Sequence, residues 1–246
     1  MKPDVRHIEE AALNAWPALQ TLVYDGWLLR FANEYTKRAN SVVPLYPGTR
    51  PLEEKIAYCE KVYQEQKQPI IFRLPSCVEG VDDVDAALSA RGYQRLDETI
   101  VQLSDLAHAS YTQPDCAYNM LDADHWLPIY HGMARGRTDC ETHEHILQAI
   151  MTPTCYIAVM DEQNLACGLG VYDRGYVGLF DIVTDPAHRQ QGYGTDVVCS
   201  LLAWGQKSHE ADYAYLQVMV HNAPAIRLYG KFGFEECYRY WYRVKP

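Results

Sequence analysis

No uninterrupted run of 18 apolar residues occurs anywhere in the 246-residue chain, so no membrane-spanning helix is expected. The opening "MKPDVRHIEEAALNAW" carries early acids and has no apolar core, which argues against a secretion signal and for a cytoplasmic protein. Basic residues are in deficit: 22 Lys and Arg face 32 Asp and Glu, a formal net charge of −10. That balance speaks against a phosphate backbone as partner and suits a cationic acceptor such as an amine. The eight cysteines contain no C-x-x-C pair and read as reduced thiols. The nucleophile elbow G-x-S-x-G is missing, so a hydrolase has no motif to stand on. Cys140, His143 and His145 in "DCETHEH" raise a metal site, but the histidines stand two positions apart and a helix would not bring them to one face. Solvated side chains are the expectation there.

What the chain does contain is an alternation of helix and strand patterns. "PLEEKIAYCEKVYQEQK" (51–67) starts with proline and early acids and repeats apolar residues at helical spacing. "GWLLRF", "ANSVVPLY" and "PIIFRL" are strand-like, and "VDDVDAALSARGY" is a helix stopped by Gly92. Beyond residue 120, two helical stretches precede three strands, "TCYIAVMD", "LACGLGVYD" and "YVGLFDIVT". A helix over 195–208, a strand over 213–220, a helix from Asn222 to a stop at Gly233 and a last strand "CYRYWYRV" complete the pattern. Strands in meander followed by helix–strand alternation indicate an α/β (α+β) fold with a mixed sheet.

The halves echo each other. "ALSARGYQRLDETIVQLS" and "RLYGKFGFEECYRYWYRV" share one plan, helix, stop glycine, aromatic and strand, with Gly92 and Gly233 141 positions apart. The polar, turn-rich 108–119 between them reads as a linker, giving domains 1–107 and 120–246. The copies are unequal: "RQQGYG" in the second half faces only "YPGTRP" in the first, and Tyr229 faces Leu88.

The most distinctive stretch is "TDPAHRQQGYGTDVVCSLLAWGQ" (184–206), a glycine loop running into a helix. A P-loop requires a lysine after its glycines, and none stands at that distance. A dinucleotide fingerprint requires a third glycine where Val197 stands. The remaining pattern is R-x-x-G-x-G: Arg189, Gln190, Gln191, Gly192, Tyr193 and Gly194, followed by Thr195. Glycines there let successive N–H groups converge on one anion at the positive end of a helix, and a pyrophosphate is the natural guest.

With "FDIVTDPAHRQQGYG", "AYLQVMV" and "HNAPAIRLYGKFGF" in that order, residues 154–244 resemble the GNAT superfamily of N-acetyltransferases. The first half resembles the same fold in outline only, as in tandem members with one degenerate copy. The resemblance implies two GNAT-like mixed-sheet domains, the N-terminal one degenerate, and acetyl-CoA as acyl donor. It places the pantetheine arm against the main chain at Ile182, Val183 and Thr184, where a strand N–H also polarises the thioester carbonyl. It places the pyrophosphate on Arg189–Thr195 and gives Asn222 a contact to the amide arm, beside its fitness as a helix N-cap. Tyr229 stands where the family carries the acid that protonates the departing thiolate. A glutamate that some relatives use as base is replaced by Gln217, leaving Asp181 as the acid within the central strands, to bind or deprotonate the acceptor ammonium or simply to be a solvated or hydrogen-bonded strand residue. The expected activity is acetyl transfer to a primary amine, small molecule or peptide, by direct attack. A non-catalytic acyl-CoA sensor is the alternative. No nucleic acid, membrane or metal partner is expected, and the sequence leaves the oligomeric state open.

Overall fold

In the computed structural model, described for residues 3–107, 109–111, 118–134, 139–161 and 163–245, the strands form a single sheet. The first half supplies α1 (Val5–Ala15), β1 (Gln20–Tyr24), β2 (Trp27–Phe31), β3 (Val42–Pro44), α2 (Leu52–Glu65), β4 (Ile71–Pro75), α3 (Val81–Ala90) and β5 (Gln94–Asp105). The second supplies β6 (Tyr118–Leu121), α4 (Ala123–Met133), α5 (Cys140–Gln148), β7 (Thr154–Asp161), β8 (Gln163–Asp173) and β9 (Tyr176–Thr184). It continues with α6 (Tyr193–His209), β10 (Tyr213–Met219), α7 (Ala223–Gly230) and β11 (Glu235–Val244).

The described strands lie in the order β1-β2-β3-β4-β11-β5-β10-β9-β8-β7-β6. The terminal strands of the halves are therefore exchanged. β11 runs antiparallel between β4 and β5, and β5 runs antiparallel between β11 and β10. The division that the sequence indicates at 108–119 separates stretches of chain but not of sheet. Residues 108 and 112–117 lie outside the described ones, and Tyr118 and Asn119 already belong to β6.

The matched stop glycines behave alike: Gly92 and Gly233 both take left-handed conformations, φ 83° and 74°. A side chain is strained there, and each glycine turns the chain from helix into an exchanged strand. β3 pairs parallel with β4 in one half, and β9 with β10 in the other.

Packing ties the halves further. Helix α1 lays Ile8, Ala11, Ala12 and Ala15, with Trp16 just after it, into the cluster that contains Leu169, Val171, Phe180 and Tyr215 of the second half. Glu9 on that helix makes a bidentate ion pair with Arg73 of β4, Oε2 to Nη1 at 2.5 Å and Oε1 to Nη2 at 3.0 Å, and it accepts a hydrogen bond from Tyr238 of β11. Both charges are at most 2% exposed, so each compensates the desolvation of the other. On the opposite face, α6 buries Val197, Val198, Leu201, Leu202 and Trp204 against β7, β8 and β9. Burial of each large apolar side chain is worth about 1.5–3 kcal/mol, so this packing fixes the start of α6 beside the end of β9.

Candidate active site

The parallel pairing of β9 and β10 runs from Tyr176–Tyr213 to Leu179–Leu216 and stops there. Both strands continue, β9 to Thr184 on the arm of β8 and β10 to Met219 on the arm of β5. Past Leu179 and Leu216 they diverge, leaving Phe180–Thr184 and Gln217–Met219 without rungs between them. The divergence begins at a bulge. Phe180 pairs with Leu169 and Val183 with Cys167, so β9 carries one residue more than β8, and Asp181 takes φ 46°. Ile182, Val183 and Thr184 are half-buried along the open edge.

The glycine loop closes one end of this gap. Asp185 caps a short turn through Ala187, and Arg189 then leads in extended backbone to Gln190 at φ 64° and Gly192 at φ 98°. Gly192 is the N-cap of α6, with the carbonyl accepting from Thr195 (2.7 Å) and Asp196 (3.1 Å). No hydrogen bond among the described residues engages the N–H groups of Gln191 or Gly192. Arg189, Gln190, Gln191 and Gly192 are exposed, while Tyr193, Gly194 and Thr195 are half-buried. At Gly194 a Cβ would stand 3.3 Å from Thr184 Oγ1 and 3.4 Å from Leu228 Cδ2. That tight approach gathers the end of β9, the start of α6 and helix α7 around one spot.

Asn222 is the N-cap of α7, its side chain accepting from the Ala225 N–H at 3.3 Å. Two turns on, Tyr229 sits half-buried against Phe234, with ring centroids 6.0 Å apart. Desolvation pushes its phenol up to about 12, so the hydroxyl remains protonated at neutral pH.

Asp181 faces the other side of the sheet. Its Oδ1 accepts from the Tyr130 hydroxyl at 3.1 Å, and its Oδ2 lies 3.1 Å from His143 Nε2. His143 Nδ1 in turn lies 3.1 Å from His131 Nε2. The carboxylate is therefore engaged by protein groups rather than solvated. His143 is wholly buried, which corrects the expectation that the histidines of "DCETHEH" are solvent-facing; His145 and Cys140 are exposed. The reason is helical geometry, because Thr142, His143, Ile146 and Leu147 form the buried stripe of α5. Rings of Trp16 and Tyr35 from the first half, and of Trp126, Tyr130 and His131 from α4, lie with centroids 5.2–6.5 Å from His143. Tyr130, His131 and Trp16 escaped the sequence reading. The spacing of Trp126, Tyr130 and Met133 marks a core face but carries no sign of chemistry.

Gln217, the first residue of β10 beyond the rungs, accepts through Oε1 from the Tyr240 hydroxyl at 2.9 Å. No group of three or more potential metal ligands occurs among the described residues, and no described helix is long and apolar enough to cross a membrane.

A bulged strand, a parallel neighbour that splays from it and a glycine loop at the following helix define a GNAT N-acetyltransferase, and comparison with known proteins agrees. A family model described as "Probable histone acetyltransferase Rv0428c C-terminal" matches residues 3–243, and the chain belongs to that acetyltransferase family. The uncharacterized N-acetyltransferase YobR of Bacillus subtilis is 30% identical over 98% of this chain and 99% of its own length. Among solved structures, a GCN5-related N-acetyltransferase from Kribbella flavida superposes with a TM-score of 0.74 at 14% identity, covering 100% of this chain and 97% of that one. A second, from Sphaerobacter thermophilus, gives 0.69 at 12% identity over 96% and 84% of the two chains. A tandem GNAT protein of the clavulanic acid pathway gives 0.62 at 14% identity over 78% and 69%. The enzyme is an N-acetyltransferase of mixed α/β fold.

Proposed function

We propose that the protein transfers acetyl from acetyl-CoA to a primary amine by direct attack, in one site of the second half. The observation that carries this reading is the gap beyond Leu179 and Leu216, with unpaired strand edges on its sides and the Gly192–Gly194 loop at its end. Main-chain groups of Ile182, Val183 and Thr184 pair with the pantetheine amides. The N–H groups of Gln191–Thr195, at the positive end of α6, hold the pyrophosphate, with Arg189 beside them. Bound there, the thioester supplies an activated acyl carbon and a thiolate leaving group. Asn222 holds the arm at the start of α7, and the Tyr229 hydroxyl donates its proton toward the sulfur.

The attacking amine must shed its ammonium proton. Asp181, His143 and His131 form a file of polar side chains 3.1 Å apart at each step, from the bulge of β9 to half-exposed His131 on α4. A proton taken up at Asp181 moves along it to the protein surface. Tyr130 holds the carboxylate in place.

The first half serves as a degenerate partner. At the start of α2, where the second half has its glycine loop, Asp25 fills the anion position with its own carboxylate. Its oxygens accept from Thr49 N–H and Arg50 N–H, each at 2.9 Å, and from the Thr49 hydroxyl, with Lys55 Nζ 3.2 Å away. These donors hold the Asp25 carboxyl well below the usual carboxylate range. In this half the donors are therefore already taken by Asp25, and one acetyl-CoA binds per chain.

A screen of primary amines against acetyl-CoA, read as free thiol, tests the assignment. Turnover in the wild type and a loss of roughly 100-fold in Tyr229→Phe, with coenzyme A affinity kept, is the expected outcome. Full activity in Tyr229→Phe removes the acid role.

A further inference from the structure

The whole chain is acidic, yet the first-half wall beside the gap offers a cation with no counter-ion among the described residues. Arg38 lies on the segment between β2 and β3 and is half-buried. Its guanidinium carbon stands 5.0 Å from the ring centroid of Trp16 and 5.7 Å from that of Phe180. The two rings are themselves stacked, 6.2 Å apart. Phe180 is the first residue of β9 past the rungs and the neighbour of Asp181, so this charge lies beside the place where the strands part.

A cation–π contact engages the charge of a guanidinium with the ring but leaves its N–H groups for an acceptor. Among the described residues no carboxylate lies within ion-pair distance of Arg38, and its side chain donates no hydrogen bond. Its neighbours are already matched. Lys37 pairs with Asp97 at 2.6 Å, and Asp181 is held by Tyr130 and His143. Across the gap from Phe180, Gln217 has given Oε1 to Tyr240, and its buried Nε2 donates to nothing among the described residues. Two donor groups without acceptors thus flank the place where the strands part, on the face of the sheet away from Tyr229.

We infer that the acceptor amine carries an anionic group, which the edge of Arg38 and Nε2 of Gln217 receive while the amine points into the gap toward Asp181. The inference rests on the acetyl-transfer site proposed above and names the acceptor class for it: a zwitterion whose smallest form is an α-amino acid. Donor pairs of this kind discriminate strongly against a ligand lacking the acceptor, because their hydrogen bonds are then unmade in a half-dry site. Arg38 is then a specificity-determining residue contributed by the degenerate half.

The test compares matched acceptors with acetyl-CoA and free-thiol readout: α-amino acids, their decarboxylated amines, phosphoethanolamine and a lysine-containing peptide with blocked ends. The wild type is expected to favour the amino acid over its decarboxylated amine by about tenfold or more in kcat/KM. Arg38→Gln brings that ratio close to one, Arg38→Lys restores part of it, and neither changes coenzyme A affinity. A larger preference for phosphoethanolamine reassigns the anion as phosphate and leaves the donor pair in place. Preference for the decarboxylated amine or the blocked peptide, or a ratio that Arg38→Gln leaves intact, overturns the inference. Should no acceptor in the panel turn over, calorimetry on coenzyme A-saturated protein replaces the rate. N-acetyl amino acids then bind wild type and not Arg38→Gln, and absence of that difference is equally fatal. Failure to bind coenzyme A at all instead defeats the acetyl-transfer site itself.

Discussion

His143 Nε2 stands 3.1 Å from Oδ2 of Asp181, and neither side chain is more than 3% exposed. The two lie in ion-pair range without the alignment of a hydrogen bond, and removal of one withdraws that compensation from the other. His143→Ala should cost about 3–5 kcal/mol of stability. Asp181→Asn/His143→Ala should cost less than the sum of the single changes, because the partners share one interaction. Urea unfolding of the four proteins measures the cycle, and strict additivity contradicts the contact. Asp181→Asn should also lower kcat by about 100-fold while coenzyme A affinity stays unchanged.

Gly194 tests the loop. A side chain there meets Thr184 Oγ1 and Leu228, so Gly194→Val displaces the start of α6 from the end of β9. Coenzyme A affinity should fall at least about tenfold, with little change in the melting temperature, since α6 buries its apolar face further along. Calorimetry reads the first and a thermal melt the second. Unchanged affinity places the pyrophosphate elsewhere.

Asp25 supplies a pH signature. Its folded pKa is depressed, so its contribution is fully present above the unfolded value of about 3.9 and disappears as pH falls through the folded one. Asp25→Asn should therefore melt lower than wild type at pH 7, and the difference should shrink below about pH 4. A difference that grows with acidity has the wrong sign.

Glu9 tests the exchange of terminal strands. Glu9→Ala leaves Arg73 buried and uncompensated and removes the acceptor of Tyr238 on β11. A loss of about 3–5 kcal/mol is expected, with amide protection falling in β4 and β11 together. Protection lost in one of the two strands alone would separate them.

Local structure was largely legible in the sequence, because periodicity and stop glycines report each segment by itself. β7 and β9 coincide with "TCYIAVMD" and "YVGLFDIVT", and the expected glycine stops at 92 and 233 end their helices in left-handed backbone. Strand β1 went unread, since "QTLVY" is an edge strand with Leu22 and Val23 exposed and no alternation of burial. Of "ANSVVPLY" only Val42–Pro44 is strand; Asn40 instead folds its amide back onto Ala32 and Thr36 to shape the segment carrying Arg38. The exchange of β5 and β11 left no local trace, because either strand fits either half. The GNAT loop could be read from 184–206 since its physics is contained in the backbone of those residues. The surroundings of Asp181 could not, as Tyr130 and His143 reach it from separate helices and Trp16 and Tyr35 pack on His143 from two further segments.

The most direct measurement of the central claim is a crystal structure with coenzyme A, paired with calorimetric stoichiometry. One molecule per chain is expected, its pyrophosphate on the N–H groups between Gln191 and Thr195 and its pantetheine between β9 and β10. A nucleotide seated at the start of α2 beside Thr49 and Arg50, or two molecules per chain, would contradict it.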